Sequence, residues 1–407
     1  MVSRAANTRA RLPAELIDQV IDCLYDDIPS LQACCLTSRE FLPGARFHIF
    51  HDVLLQGPDR ANAFVEALKG SPHISSFVKI LEMEVDLFSI PEKSYYLDTV
   101  LPIIASKLTM LRSFRIGNVT LDDANRKALS ALIYQFPALK ELQISWVTIE
   151  RFRDLAALIV AHPLLECLDL RHVSWKGSIK VPSHWEHVFQ SYPDSHSQLR
   201  RLSLDDTPSD VVDWMLSHYR VLPVHTVTHI TINSRQLPQM AKFLNAIGSS
   251  LKHLTFGIDS LSPLDLRGSL YFYETGLILT QFSELANAAL ISSNTCLCSL
   301  TINHLLPRRI SHAWIPILLS QVTSRDIKVV TFVLWDKLVV LEAMDLERIQ
   351  DILTKGVFRG LDKVVFRMNR VDPVEGGREI WRRMDRLAGT VRLVVCQDIM
   401  YPDFPLL

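Results

Sequence analysis

Two hydrophobic periodicities divide this chain. From Leu12 to Val53, the residues Leu16, Ile17, Val20, Ile21 and Leu24 recur at helical spacing, with Glu15, Asp18, Gln19 and Asp22 between them. Pro13 suits a first helical position, where its missing N–H costs nothing. Asp26, Asp27 and Pro29 break the pattern. Leu31, Cys34, Cys35 and Leu36 form a second apolar run, followed by Phe41 and Leu42, with Pro43-Gly44 as punctuation. The spacing predicts a helical hairpin of about forty residues, small for an independent core. Such a unit must dock on something.

After the hairpin the periodicity changes. A short strand with apolar residues at i, i+3 and i+5 returns as Leu111/Phe114/Ile116, Leu139/Leu142/Ile144, Leu165/Leu168/Leu170 and Leu199/Leu202/Leu204. It continues as Val227/Ile230/Ile232, Leu251/Leu254/Phe256, Leu297/Leu300/Ile302, Ile327/Val330/Phe332 and Leu361/Val364/Phe366. Weaker copies stand at Val78/Leu81/Met83 and Ala388/Val391/Leu393. Central positions lie 24 to 34 residues apart, with one gap of 46 between Leu254 and Leu300. That period is the mark of a solenoid.

The intervening stretches 122–136, 152–161, 209–219, 239–247, 282–291, 314–322, 346–353 and 378–387 read as helices, with apolar residues three and four apart. Ser209 and Asp345 are placed to cap helix starts, and Gly248, Gly356 and Gly389 to end helices. The expected fold class is α/β: a helical hairpin, then a curved solenoid with a parallel sheet and outer helices, joined by right-handed crossovers. The expected division is a tail at 1–11, the hairpin at 12–53 and the repeat array at 54–407. The hairpin and Cys396 to Leu407 are candidates to cover the two ends of the array.

The hairpin resembles the F-box family. The resemblance rests on Leu12-Pro13-x-Glu15-Leu16, the Ile17/Ile21/Leu24 stripe, Leu31, and Leu36-x-Ser38-Arg39-x-Phe41. The family usually has valine where Leu36 stands and often tryptophan where Phe41 stands. Leu42-Pro43-x-Ala45-x-x-x-Ile49-Phe50 looks like the extension of many fungal F-box chains. The resemblance implies docking on a Skp-family adaptor, and through it a cullin–RING ubiquitin ligase, by Leu12, Pro13, Leu16, Ile17, Ile21, Leu24, Leu31, Leu36 and Phe41. The array resembles the longer leucine-rich repeats. It departs from them where the family places Asn or Cys after the strand, since Val119, Val147, Val173, Thr207, Arg235, Asp259 and Leu305 stand there. An irregular arc is expected, with 259–295 looping out or forming a degenerate layer.

Composition narrows the rest. Apolar residues make up 48% of 407, which excludes global disorder. Lys+Arg is 43 against Asp+Glu 44, which leaves no net basic field for nucleic acid. No apolar run approaches the ~20 residues of a membrane span. Seven scattered cysteines match no metal-ligand spacing and read as reduced buried thiols of a cytoplasmic or nuclear protein. No phosphate loop, H-E-x-x-H or nucleophile elbow occurs, so no catalytic residue, metal or cofactor is expected. His184 and His187, three apart, could share a helix face as a zinc pair, but no further ligands are signalled nearby and they read as a surface pair in a loop, while Asp122-Asp123 and Asp205-Asp206 read as strand-to-helix turns.

Function then falls to strand residues on the open face: Glu141, Gln143, Asp169, Arg171, Arg201, Asp205, His229, Asn233 and His253 as contacts for an unknown protein substrate. Trp146 and Trp175, at equivalent sites after neighbouring strands, are either binding anchors or packing groups. The whole reads as a non-catalytic substrate-recognition subunit of a ubiquitin ligase. The alternative is a leucine-rich-repeat scaffold whose hairpin is only an end cap.

Overall fold

Most of the described layers repeat one backbone course of strand, turn, helix and return. The structure, a computed structural model, describes residues 13–84, 96–176, 198–218, 224–233, 237–257, 289–305, 312–334, 341, 344–368 and 373–397. The chain forms two units.

The first unit comprises Met1–Leu164 and Trp175–Gly177. It opens with α1 (Ala14–Asp22), α2 (Ile28–Thr37) and α3 (Leu42–His51). The layers follow: β1 (Asp52–Gln56), α4 (Gly57–Gly70), β2 (Ile80–Glu84), α5 (Leu97–Lys107), β3 (Ser113–Leu121), α6 (Arg126–Tyr134), β4 (Glu141–Ile149) and α7 (Phe152–Val160). Strands β1 to β4 pair in parallel and in chain order. One buried row runs Val53, Leu81, Phe114, Leu142 and a second runs Leu55, Met83, Ile116, Ile144.

The second unit comprises Leu165–Ser174 and Ser178–Leu407. It holds β5 (Cys167–Arg171), and the two-residue β6 (Ser174–Trp175) falls at the division in the chain. Then come β7 (Arg201–Asp205), α8 (Ser209–Ser217), β8 (His229–Asn233), α9 (Leu237–Ile247), β9 (His253–Gly257) and β10 (Ser299–Leu305). Last are α10 (Trp314–Ser320), β11 (Val329–Leu334), α11 (Leu346–Leu353), β12 (Lys363–Met368), α12 (Pro373–Arg383), α13 (Asp385–Ala388) and β13 (Arg392–Gln397). The buried row Leu168, Leu202, Ile230, Leu254, Leu300, Val330, Val364, Leu393 is continuous in register. This is the parallel sheet and helix solenoid the i, i+3, i+5 pattern predicts, except that in β13 the rows pass through Leu393 and Val395 instead of the expected Val391 and Leu393.

Alternation decides which face is buried. In β7 the pattern is exposed, buried, half-buried, buried, half-buried, so Leu202 and Leu204 enter the core while Arg201, Ser203 and Asp205 do not. Burying each such aliphatic side chain contributes about 1.5–3 kcal/mol. Aromatic pairs fill part of the core: Phe114 stacks on Phe136 at 5.5 Å and Phe332 on Phe366 at 5.0 Å.

The missing Asn or Cys ladder has a substitute. Asn118, Trp146, His172 and Asp206 all take positive φ, at 58°, 57°, 49° and 43°, just before the positions where the ladder residue was sought. The next residues, Val119, Val147, Val173 and Thr207, turn inward and are buried. Of these, only Thr207 carries a hydroxyl, which donates to the Leu170 carbonyl at 3.1 Å. Other interlayer bonds are scattered. Asn294 Nδ2 donates to the carbonyls of Leu244 and Gly248 at 2.9 and 2.8 Å, Ser324 Oγ to that of Leu297 at 2.8 Å, and Thr226 Oγ1 to that of Leu199 at 2.8 Å. Asp98 on α5 accepts from the backbone N–H groups of Lys127 and Ala128, capping the helix of the next layer.

Several expectations are corrected. Pro43-Gly44 opens α3, because proline is tolerated in a first helical turn. The strand β1 was not foreseen, and its start at Asp52 lies inside the segment 12–53 assigned to the hairpin. Helices α4 and α5 were also missed. Residues 378–387 are not one helix, since α12 ends at Arg383 and α13 begins at Asp385. Ser209 is the first residue of α8 and makes no cap, whereas Asp345 does accept from Arg348 N at 3.0 Å. The cysteines are free but not buried: Cys23 is exposed and the other six are half-buried. The looped or degenerate layer at 259–295, the helix at 282–291, His184 with His187, and the cover from 398 onward lie wholly or largely outside the described residues. Among the described residues no helix is long and apolar enough to cross a membrane.

Candidate functional site

Three short helices make the hairpin. Ile17 and Ile21 on α1 are buried one turn apart, and Asp27 starts α2 by accepting from Ser30 N at 3.1 Å and Ser30 Oγ at 2.6 Å. Those bonds hold the Asp27 carboxyl below its ordinary range. Gly44 lets α3 approach α1, since a Cβ there would lie 3.3 Å from Ile21 Cγ2. His48 Nε2 meets Asp22 Oδ1 at 2.8 Å across the same pair of helices. Ile21, Leu31 and Ala45 form a separate small core, with Leu24, Cys34, Cys35, Phe41 and Ile49 packed around it.

This core does not use all the apolar residues. Leu16 is 45% exposed, Val20 52%, Tyr25 64% and Leu36 90%, and Ile28 is also exposed. Leu16 and Val20 are i and i+4 on α1 and share a face. The docking set expected from the resemblance therefore divides. Pro13, Leu16 and Leu36 stand in solvent, Leu24 and Phe41 are half-buried, and Ile17, Ile21 and Leu31 are buried. Leu12 is outside the described residues. Val20, Tyr25 and Ile28 were not foreseen as surface. Tyr25 and Ile28 are apolar groups flanking an Asp-Asp turn, and that oddity was the available signal.

The open sheet face carries the other expected residues. In the first unit its groups pair with one another: Gln56 with Glu84 at 3.1 Å, Arg115 with Glu82 at 3.2 Å, and Gln143 with Ser145 at 3.3 Å. Glu141 begins β4 on the same face. Trp146 and Trp175 are not equivalent. Trp146 holds the left-handed position within β4, whereas Trp175 packs on Phe152 with ring centroids 5.0 Å apart.

In the second unit, Asp169 and Arg171 on β5 are bonded to each other at 2.6 and 3.0 Å. Arg201, His229 and His253 are register partners on β7, β8 and β9. Asp205, Asn233 and Gly257 are partners at the far ends of those strands. Among the described residues, no group of three or more His, Cys, Asp or Glu side chains is placed to hold a metal ion.

Comparison with known proteins bears on the array. Residues 78–258 match the family described as FBD-associated F-box protein At5g56370, LRR repeats. That span runs from β2 to β9, less than half of the chain, and leaves out the hairpin. The namesake is a plant protein, and the fungal affinity expected above gains no support. No curated protein matches. Among solved structures, the leucine-rich repeat-containing protein LegL7 from Legionella pneumophila is similar at 13% identity, over 73% of this chain and 87% of that one, with a TM-score of 0.39. The array is thus similar to leucine-rich repeats of an F-box-associated family. That similarity and the layered fold support a role in protein–protein interaction.

Proposed function

We propose that this chain is the substrate-recognition subunit of an SCF-type ubiquitin ligase. Its hairpin docks on a Skp-family adaptor, and its sheet face holds a protein substrate. The observation that carries the reading is the division inside the hairpin. One apolar set closes a small core, and a second set, Leu16, Val20, Tyr25, Ile28 and Leu36, is left for another protein. The mechanism is positional. Ligase and substrate are held on one chain, which raises the effective concentration of substrate lysines near the ubiquitin donor. Transfer chemistry belongs to other subunits, and the cytoplasm or nucleus is where those partners would be met.

Capture of the purified adaptor–cullin complex tests this. Leu16→Asp with Leu36→Asp is expected to weaken capture at least about tenfold and to leave the thermal midpoint unchanged. Ile17 is unsuitable for this test because its side chain is buried. Undiminished capture by the double variant would sink the reading.

A capping scaffold with no ligase is the second reading. It is favoured by the direct passage of α3 into β1 and by the edge contact of Phe47 on Phe77 at 6.3 Å. Failure of the unaltered chain to capture any adaptor is its expected result.

A further inference from the structure

The open face of the second unit has a chemical gradient. At the strand entries Arg201, His229, His253 and Ser299 stand side by side in register on β7 to β10. The imidazoles of His229 and His253 are stacked, with centroids 4.2 Å apart and planes 17° from parallel. Thr228 Oγ1 meets Nδ1 of His229 at 2.8 Å, and Ser299 Oγ meets Nδ1 of His253 at 3.1 Å. The two Nε2 atoms have no protein partner among the described residues.

Burial holds both rings below the ordinary histidine range. A proton on His253 would push His229 further down, as the charges of Arg201 and Lys252 do, and Lys252 does the same to His253. Two rings kept neutral beside cations are a place where an arriving anion is stabilised, both by those cations and by the imidazole N–H groups.

Two residues along each strand the character changes. Ser203, Thr231, Thr255 and Thr301 stand in one register row, a half-buried hydroxyl in each of four consecutive strands, and the row ends at Thr331 on β11, which is buried. The strands are about 4.8 Å apart. Such a row offers hydrogen bonds to main-chain amides laid across it, but no charge. It meets Asp169 at β5, so a polyphosphate following the row would run into a carboxylate.

We propose, resting on the substrate-receptor reading, that this face takes an extended polypeptide segment with one anionic side chain. The anion seats against Arg201, His229 and His253, and the main chain of the segment crosses Thr231 and Thr255.

The test uses the full chain with isotope-labelled histidine rings, whose resonances are assigned with His229→Gln and His253→Gln. The probes are a glycine-serine peptide with a central phosphothreonine, the same peptide with glutamate, the same with threonine, and inorganic phosphate. Saturable shifts of both rings with the phosphothreonine or the glutamate peptide are expected, and the tighter of the two identifies the source of the anion. Arg201→Gln should weaken that binding at least about tenfold, with partial recovery in Arg201→Lys. Equal binding of the threonine peptide would overturn the anionic role, equal binding of inorganic phosphate would overturn the extended segment, and no shift at all would overturn both. Adaptor capture by the same preparation keeps the two readings apart. Capture without ring shifts sinks this inference alone, and ring shifts without capture sink the ligase reading while the peptide site stands.

Discussion

Leu204 and Leu36 show how differently one residue type is used in the two regions. In β7, Leu204 is 1% exposed, because the strands on either side and the helix layer close over it. At the end of α2, Leu36 has no such neighbours. A layer of the array is flanked by other layers that bury what it presents. The hairpin, of about forty residues, has too little volume to cover its own apolar surface. The same hydrophobic content therefore yields stability in one region and an unsatisfied surface in the other.

The contrast can be broken most directly by a charge. Leu204→Asp should cost more than about 4 kcal/mol and unfold its unit. Leu36→Asp should change stability by less than about 0.5 kcal/mol. Denaturant titration of both variants checks this, and a comparable loss in each would erase the distinction.

Acid should separate the regions next. His162 is 3% exposed, and burial lowers its imidazole to about 4, against the opposing bonds to the backbone of Phe136 and Leu132. Its folded pKa lies below the unfolded value of 6.5, so the unfolded chain binds the proton first. Stability is then level above pH 6.5 and falls as pH drops from 6.5 toward 4, by about 3 kcal/mol in all. In His162→Gln the slope across that window should flatten, as read by unfolding at stepped pH. A slope unchanged from the parent would mean the ring is solvated.

The smallest effect belongs to the hairpin. Gly44→Val pushes a branched side chain against Ile21 and should cost about 1–3 kcal/mol. Hydrogen exchange should quicken in α1 and α3 and stay as before in β7 to β9. Quickening across the array instead would show the two regions to be one cooperative body.

What could be read from residues alone follows the same division. The i, i+3, i+5 spacing located the strands because each position has a fixed partner in the adjacent layer. The strand β1 escaped because its buried Val53 and Leu55 follow the helical residues Ile49 and Phe50 without a turn between them. For the site, periodicity reports that a residue is apolar and on a face, but not what covers it. Ile17 and Leu16 are neighbours in one helix, and only packing shows that the first is buried and the second is not. The stacked His229 and His253 lay within the expected open-face row, yet their contact needs the register of β8 on β9.

The passage from α3 to β1 has one last consequence. Helix ends at His51 and strand begins at Asp52, with no connecting loop. A swivel needs residues that can change their dihedrals, and here there are none to spare. A protein gripping α1 would therefore aim β1 and the strands paired with it like a fixed bracket.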